Sequence, residues 1–324
     1  MACTTNAMAF ADKVSEVEGL NTLPRGRVLP PDSAPLPIFV PQIDHGGSRT
    51  TLLDEEVVSI PLHRIITQDR LKRARVLYNT PDEVRRSFKL SRRTQFIITS
   101  VCPDRWIEAF WEVHRSRHLL DAIAALCPFA MTVPNFSFML DVPRTNSLYN
   151  FGRMFRLSER MTKADIPTVF HLNALTQFDW NRWRDVLKDQ PESKLVSLEF
   201  QTGAEHKQFG DEYFAHLVAL QEELGRALHP LMLAGAGRLR HLDESFDSFT
   251  VIDANPFIKT MKRQVLHKWG AKWKWRFEPT LQGTSLSPRL DQNIAAQRAR
   301  YNERLGLAAD GGGFRQQLLL PAAA

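Results

Sequence analysis

Short apolar runs recur along the chain, each set off by polar or turn-forming residues and followed by a stretch of helical spacing. Residues 96–99, 129–133, 166–172, 195–200, 231–234 and 249–252 read as strands because they are apolar almost throughout. Between them, residues 103–114, 119–126, 147–163, 179–187, 211–228 and 238–242 read as helices, and another begins at Pro256. Trp180, Trp183 and Leu187 fall on one helical face. Gly152 interrupts an otherwise regular stripe of Leu148, Phe151, Phe155 and Met161. Upstream, Thr80-Pro81-Asp82-Glu83 combines an N-cap, a proline in the first turn and an acid at N3, which predicts a helix over 81–89. Residues 57–62 predict a short edge strand.

Strands that are apolar on both faces and joined by helices pair in parallel. The fold class expected is therefore α/β, a parallel (β/α) barrel of TIM type, complete or partial, with a doubly wound open sheet as the alternative. The barrel is assigned to residues 51–265. Residues 1–50, with six prolines between Pro24 and Pro41, read as a disordered arm. Residues 266–305 read as a basic aromatic extension ending in a helix over 297–305, and residues 306–324 as a disordered tail.

Composition changes this picture little. Apolar residues are 43% and charged residues 24% of the 324, the balance of a globular chain. Cys3, Cys102 and Cys127 form no CxxC pair, which argues against a structural zinc site or a disulfide scaffold. There is no apolar run long enough to span a membrane, and the first twelve residues lack the pattern of a secretion signal, so a cytoplasmic location is expected. The sequence sets no oligomeric state.

In either α/β architecture, ligands bind at the C-terminal ends of the strands. The polar residues there include Asn135, Ser137 and Asp141, and then three pairs spaced i, i+2: His171/Asn173, Glu199/Gln201 and Asp253/Asn255. Two residues apart on a strand share a face, so both members of a pair can point into one mouth. A single pair would serve equally well to cap its strand end; three on one rim point to a site. Asp141, Glu199, Asp253 and His171 are the candidate catalytic groups, as nucleophile, acid or base. Asn135, Asn173, Gln201 and Asn255 are candidate substrate-binding groups. No cofactor is expected, although two of the carboxylates could hold a divalent metal. Gly235-Ala236-Gly237-Arg238, between a strand and a helix, is a candidate phosphate-binding turn through Gly235, Gly237 and Arg238, or simply a tight connection. The HExxH, GxSxG and GxxxxGK[ST] signatures are missing.

The net charge of +6 is unevenly spread. No acid occurs between Asp253 and Glu278, a window with seven Lys or Arg and three tryptophans. From 271 to 277 the alternation has period two, with Trp273, Trp275 and Phe277 on one face and Lys272, Lys274 and Arg276 on the other. Together with Lys268 and Trp269, these residues are a candidate nucleic-acid surface of phosphate-binding cations and stacking rings. The alternative is an edge element with packed tryptophans and solvated lysines. A second basic group, from Arg70 to Arg93, would strengthen the nucleic-acid reading if the two met in space.

The runs Pro134-Asn135-Phe136-Ser137, Asp141-Val142-Pro143-Arg144, Leu148-Tyr149-Asn150, His171-Leu172-Asn173-Ala174 with Asp179-Trp180, and Glu199-Phe200-Gln201-Thr202-Gly203 resemble an uncharacterised family of bacteria, phages and mobile elements. The resemblance covers residues 80–260 and implies no activity. Phe200-Gln201-Thr202-Gly203 and Leu233-Ala234-Gly235-Ala236-Gly237 also resemble, at the level of fold, the tRNA-guanine transglycosylase superfamily of (β/α)8 barrels. That resemblance implies base exchange, with Asp141 near the base and Asp253 near the nucleophile position. The superfamily's Asp-Ser-Gly-Gly run and its zinc ligands are missing here. Three readings follow. The first is an enzyme of glycosyl transfer or hydrolysis on nucleotides or nucleic acid. The second is a non-enzymatic DNA- or RNA-binding protein of a phage or mobile element. The third is a small-molecule phosphate enzyme.

Overall fold

A computed structural model describes residues 7–32, 35–113, 117–139, 141–200 and 207–307. Twelve strands are described: β1 (Phe39–Pro41), β2 (Val57–Pro61), β3 (Ile66–Gln68), β4 (Ala74–Val76), β5 (Gln95–Thr99), β6 (Ala130–Thr132), β7 (Thr168–His171), β8 (Leu195–Glu199), β9 (His229–Leu233), β10 (Thr250–Asp253), β11 (Gln264–Trp269) and β12 (Lys272–Phe277). The helices are α1 (Ala7–Glu16), α2 (Pro81–Phe88), α3 (Asp104–Glu112), α4 (Arg117–Ala124), α5 (Arg144–Lys163), α6 (Gln177–Lys188), α7 (Lys207–Leu224), α8 (Leu239–Ser245), α9 (Asn255–Met261) and α10 (Ser287–Arg304).

Eight strands pair in parallel in the order β1-β10-β9-β8-β7-β6-β5-β2. A single bridge, Gln42 opposite Ser59 with the Ile43 amide donating to the Ser59 carbonyl at 2.8 Å, joins the two ends of this sheet. The expected (β/α) barrel is therefore present. It is nearly closed, so β2 meets β1 at this bridge rather than standing as a free edge.

Two apolar clusters define the inside and outside of the barrel. Val40, Val57, Ile97, Ala130, Val169, Leu231 and Ile252, one from each of seven strands, pack together with half-buried Leu195 of the eighth. This is the barrel interior. The neighbours of these residues along each strand, such as Phe39, Val58, Phe96, Met131, Phe170, Val196, Met232 and Val251, belong to the larger cluster beneath the helices. Each strand therefore has an inward and an outward set two residues apart.

The residue range assigned to a disordered arm contains α1 and β1. Phe39, Val40 and Pro41 are all buried, and Val251 N donates to the Ile38 carbonyl at 2.7 Å while Gln42 N donates to the Asp253 carbonyl at 3.1 Å. Pro37 precedes this three-residue strand and Pro41 is its last residue, where the next ladder bond is made by Gln42 N, so the missing proline donors cost little there. Val17, just after α1, packs against Gly152 of α5, where a side chain would collide with it. The glycine that weakened the helical pattern is thus a contact point between two helices.

No helix separates β1 from β2; α10 covers this gap. The Tyr301 ring packs edge-on against Phe39 at 5.4 Å, and Ser287 Oγ accepts from the Thr50 and Thr51 amides at 3.0 and 3.1 Å. Thr80 caps α2 as expected, accepting from Glu83 N at 3.2 Å, while the Glu83 carboxylate reaches Asn79 N at 2.7 Å. Residues 308–324, most of the expected tail, lie outside the described residues. Among the described residues no helix is long and apolar enough to cross a membrane.

Candidate active site

The alternation of inward and outward positions decides which strand-end groups reach the barrel mouth. On β7, Val169 faces inward, so His171 does as well. On β8, Leu195 faces inward, and Ser197 and Glu199 share its face. The side chains confirm this: His171 Nδ1 lies 2.8 Å from Ser197 Oγ, both fully buried. Burial pulls the His171 pKa down to about 3, so the ring is neutral, and it supports the floor of the mouth rather than carrying charge. The same face continues around the barrel through Thr132, Thr99 and Ser59. Thr132 Oγ1 accepts from Ser100 N at 2.7 Å, and the Ser59 and Thr99 hydroxyls lie 3.1 Å apart. The interior is therefore polar from β2 to β8 at its C-terminal end, and apolar at Leu233, Ile252 and Val40.

Glu199 is half-buried and is the sole carboxylate on an inward-facing strand position among the described residues. On the loop after β7, Asn173 Nδ2 donates to Asn135 Oδ1 at 2.8 Å and to the Phe136 carbonyl at 3.0 Å, tying the β6 and β7 loops together. Its backbone carbonyl is held by Trp183 Nε1 at 2.9 Å. With His171 opposite Ser197, Asn173 falls at the level of Glu199 on the neighbouring strand. Gln201 lies outside the described residues.

Asp253 departs from its expected place. Ile252 faces inward, so Asp253 faces the helix layer. There its Oδ2 accepts from Gln297 Nε2 at 2.7 Å and Tyr301 OH at 2.9 Å, and its Oδ1 from Asn255 N and Nδ2, both at 2.8 Å. Asp253 and Asn255 thus anchor α10 and start α9; the i, i+2 spacing that seemed to aim both into the mouth instead makes them partners of each other. Asp141 is exposed on the loop before α5. The carboxylates do not gather, and among the described residues no group of three His, Cys, Asp or Glu is placed to hold a metal ion.

The glycine turn also differs from expectation. Gly235 adopts a φ of 87°, which glycine permits, and its amide neighbourhood closes on itself, with Arg238 N donating to the Gly235 carbonyl at 2.8 Å. The Arg238 guanidinium pairs with Asp211 and lies 5.0 Å from the Phe200 ring. It is a neutralised clamp between α7 and the β9 loop rather than a free anion-binding fork. Gly237 is exposed.

A second polar sector lies on the loops after β1 and β2, where no strand had been expected to end or only an edge strand. Arg64 sits 3.5 Å from Asp44. Burial and the Arg64 charge hold both His45 and His63 below the ordinary histidine range, with Asp44 opposing. His63 Nδ1 is buried without a hydrogen-bond partner. In the ring order of the barrel, β2 stands opposite β8, the strand that carries Glu199. Period-two polar positions inside apolar runs, Ser59, Thr99 and Ser197, were the signal that could have located the polar interior from sequence. Nearby Cys102 is a free thiol whose pKa is pushed up to about 12 by burial.

The basic aromatic segment is the antiparallel hairpin β11–β12, turning through Gly270-Ala271. It rests on α9 and α10, whereas the β3–β4 ribbon at the second basic group rests on α3 and α4. The hairpin and the β3–β4 ribbon thus sit on different helices.

No family model and no curated protein matches the chain. Among solved structures it is similar to a HpcH/Hpal aldolase/citrate lyase family protein from Burkholderia cenocepacia J2315. That match has 10% identity and a TM-score of 0.31, and covers 68% of this chain and 88% of the other. A likeness of this degree assigns no activity.

Proposed function

We propose that the protein is an enzyme whose site is the C-terminal mouth of the barrel, with Glu199 as its acid–base group. The observation that carries this reading is the position of Glu199, a lone inward-facing carboxylate at the end of a polar interior. Asn135 and Asn173 beside it supply an amide donor and acceptor surface suited to the edge of a nucleobase. Arg64, on the loop after β2 and still 43% exposed beside Asp44, supplies a cation that a phosphate would share with that carboxylate. A nucleotide presents both features at its two ends, so the reaction class favoured is glycosyl transfer or hydrolysis at the base–sugar bond, with Glu199 moving the proton. His171 and Ser197 hold the floor beneath the carboxylate without titrating near neutral pH.

The test is release of free base from a panel of nucleosides and nucleoside monophosphates, followed by chromatography. Glu199→Gln should lower the rate by about 10²-fold or more, the usual share of a general acid or base. Base release that survives this substitution, or that is absent from the whole panel, would remove the assignment.

A further inference from the structure

The register of the hairpin sorts its side chains into two faces, because residues directly opposite on an antiparallel pair share a face. Lys268 opposes Trp273, Leu266 opposes Trp275, and Gln264 opposes Phe277. This face turns towards the helices. Trp273 Nε1 donates to Glu303 of α10 at 2.7 Å, Lys268 Nζ pairs with the same carboxylate at 3.0 Å, and Lys259 of α9 lies 6.0 Å from the Trp275 ring. Two of the tryptophans expected to stack on a ligand are therefore occupied within the fold.

The other face joins His267, opposite Lys274, to Trp269, opposite Lys272, and includes Arg276. Trp269 is 63% exposed, an unusual cost for an indole. Arg276 lies 5.9 Å from its ring. Lys272, Lys274 and Arg276 are exposed and have no carboxylate partner among the described residues; the one acid at this face, Glu278, is taken by His267 at 2.6 Å. Three free cations follow one another at every second strand position, about 6.7 Å apart. An open aromatic plane lies beside them.

We propose that this outer face binds single-stranded nucleic acid, with a base stacked on Trp269 and successive phosphates along Lys272, Lys274 and Arg276. A flat exposed indole selects an unstacked base, which a duplex does not offer, and the row of cations follows a backbone rather than a single anion. The helix that carries the hairpin also reaches the barrel mouth. Glu303 holds the hairpin, and its neighbour Arg304 donates to the Ala236 carbonyl in the β9 loop at 2.9 Å. The proposal rests on residues separate from Glu199, so the two readings fail independently.

Fluorescence anisotropy of the full chain with labelled oligothymidylate and oligouridylate tests it. Binding should weaken with salt at a log–log slope of about −2, the value for three phosphates on a single strand. Trp269→Ala should weaken binding at least about fivefold. The triple variant Lys272→Glu, Lys274→Glu, Arg276→Glu should abolish it, with an unchanged thermal melt showing that the fold persists. Trp273→Phe should leave affinity intact. Binding that ignores these outer-face variants, equal or tighter binding to duplex DNA, binding to phosphatidylserine vesicles in place of oligonucleotides, or no binding at all would each overturn the proposal.

Discussion

Replacing Asp253 by Ala separates a structural carboxylate from a catalytic one. The side chain accepts four hydrogen bonds, two from Asn255 at 2.8 Å and one each from Gln297 and Tyr301 at 2.7 and 2.9 Å. Asn255 is exposed, so water can replace the carboxylate there. Gln297 and Tyr301 are 1% exposed, and their donors would be left unpaired in the helix layer. An orphaned buried donor costs about 1–3 kcal/mol, so the two together should cost about 4 kcal/mol. Tyr301→Phe removes one donor and should cost about 2 kcal/mol, since the bond lost is to a carboxylate. In the double variant the orphaned hydroxyl is gone, so the sum should fall short of additive by about 1–2 kcal/mol. Urea denaturation followed by tryptophan fluorescence gives all four stabilities. A single Asp253→Ala variant with the wild-type midpoint would refute the outward orientation, and with it the view of α10 as the cover of β1.

His171 is neutral in the folded barrel and its pKa of about 3 lies below its unfolded value of about 6.5, so its contribution is complete above that value and is lost as pH falls. Between pH 6.5 and 5 this amounts to about 2 kcal/mol, and His171→Gln, which keeps a partner for Ser197, should flatten that part of the stability profile. At Gly152, a methyl group would sit 2.7 Å from Val17 Cβ. Gly152→Ala should therefore destabilise by about 1 kcal/mol net in thermal melts, overpacking outweighing the gain in helix propensity.

The barrel was legible because six of its strands are apolar on both faces, a pattern that follows directly from burial between an interior and a helix layer. β1 was not, since three residues ending in a proline carry no period. Its loss also hid the sector of Asp44 and His45. Within the candidate site, His171 and Glu199 could be read from their i, i+2 partners on strands whose inward residue is apolar. Asp253 shows the limit of that reading. Spacing places two side chains on one face but does not say which face, and only the packing of Ile252 against the interior cluster decides it. The hairpin gives the same lesson. The alternation separated rings from cations correctly, but the partner strand supplies Trp269 to the basic face, and pairing across strands is invisible in a single run of sequence.

The reading of the mouth is tested most directly by calorimetric titration of nucleosides and nucleoside monophosphates into the wild-type protein and Glu199→Gln. At least one of them should bind the wild type, Glu199→Gln should weaken its binding about tenfold or more through loss of a charged hydrogen bond, and the apo melting temperature should stay unchanged. Equal affinity in the two proteins, or no binding by the wild type, would contradict it.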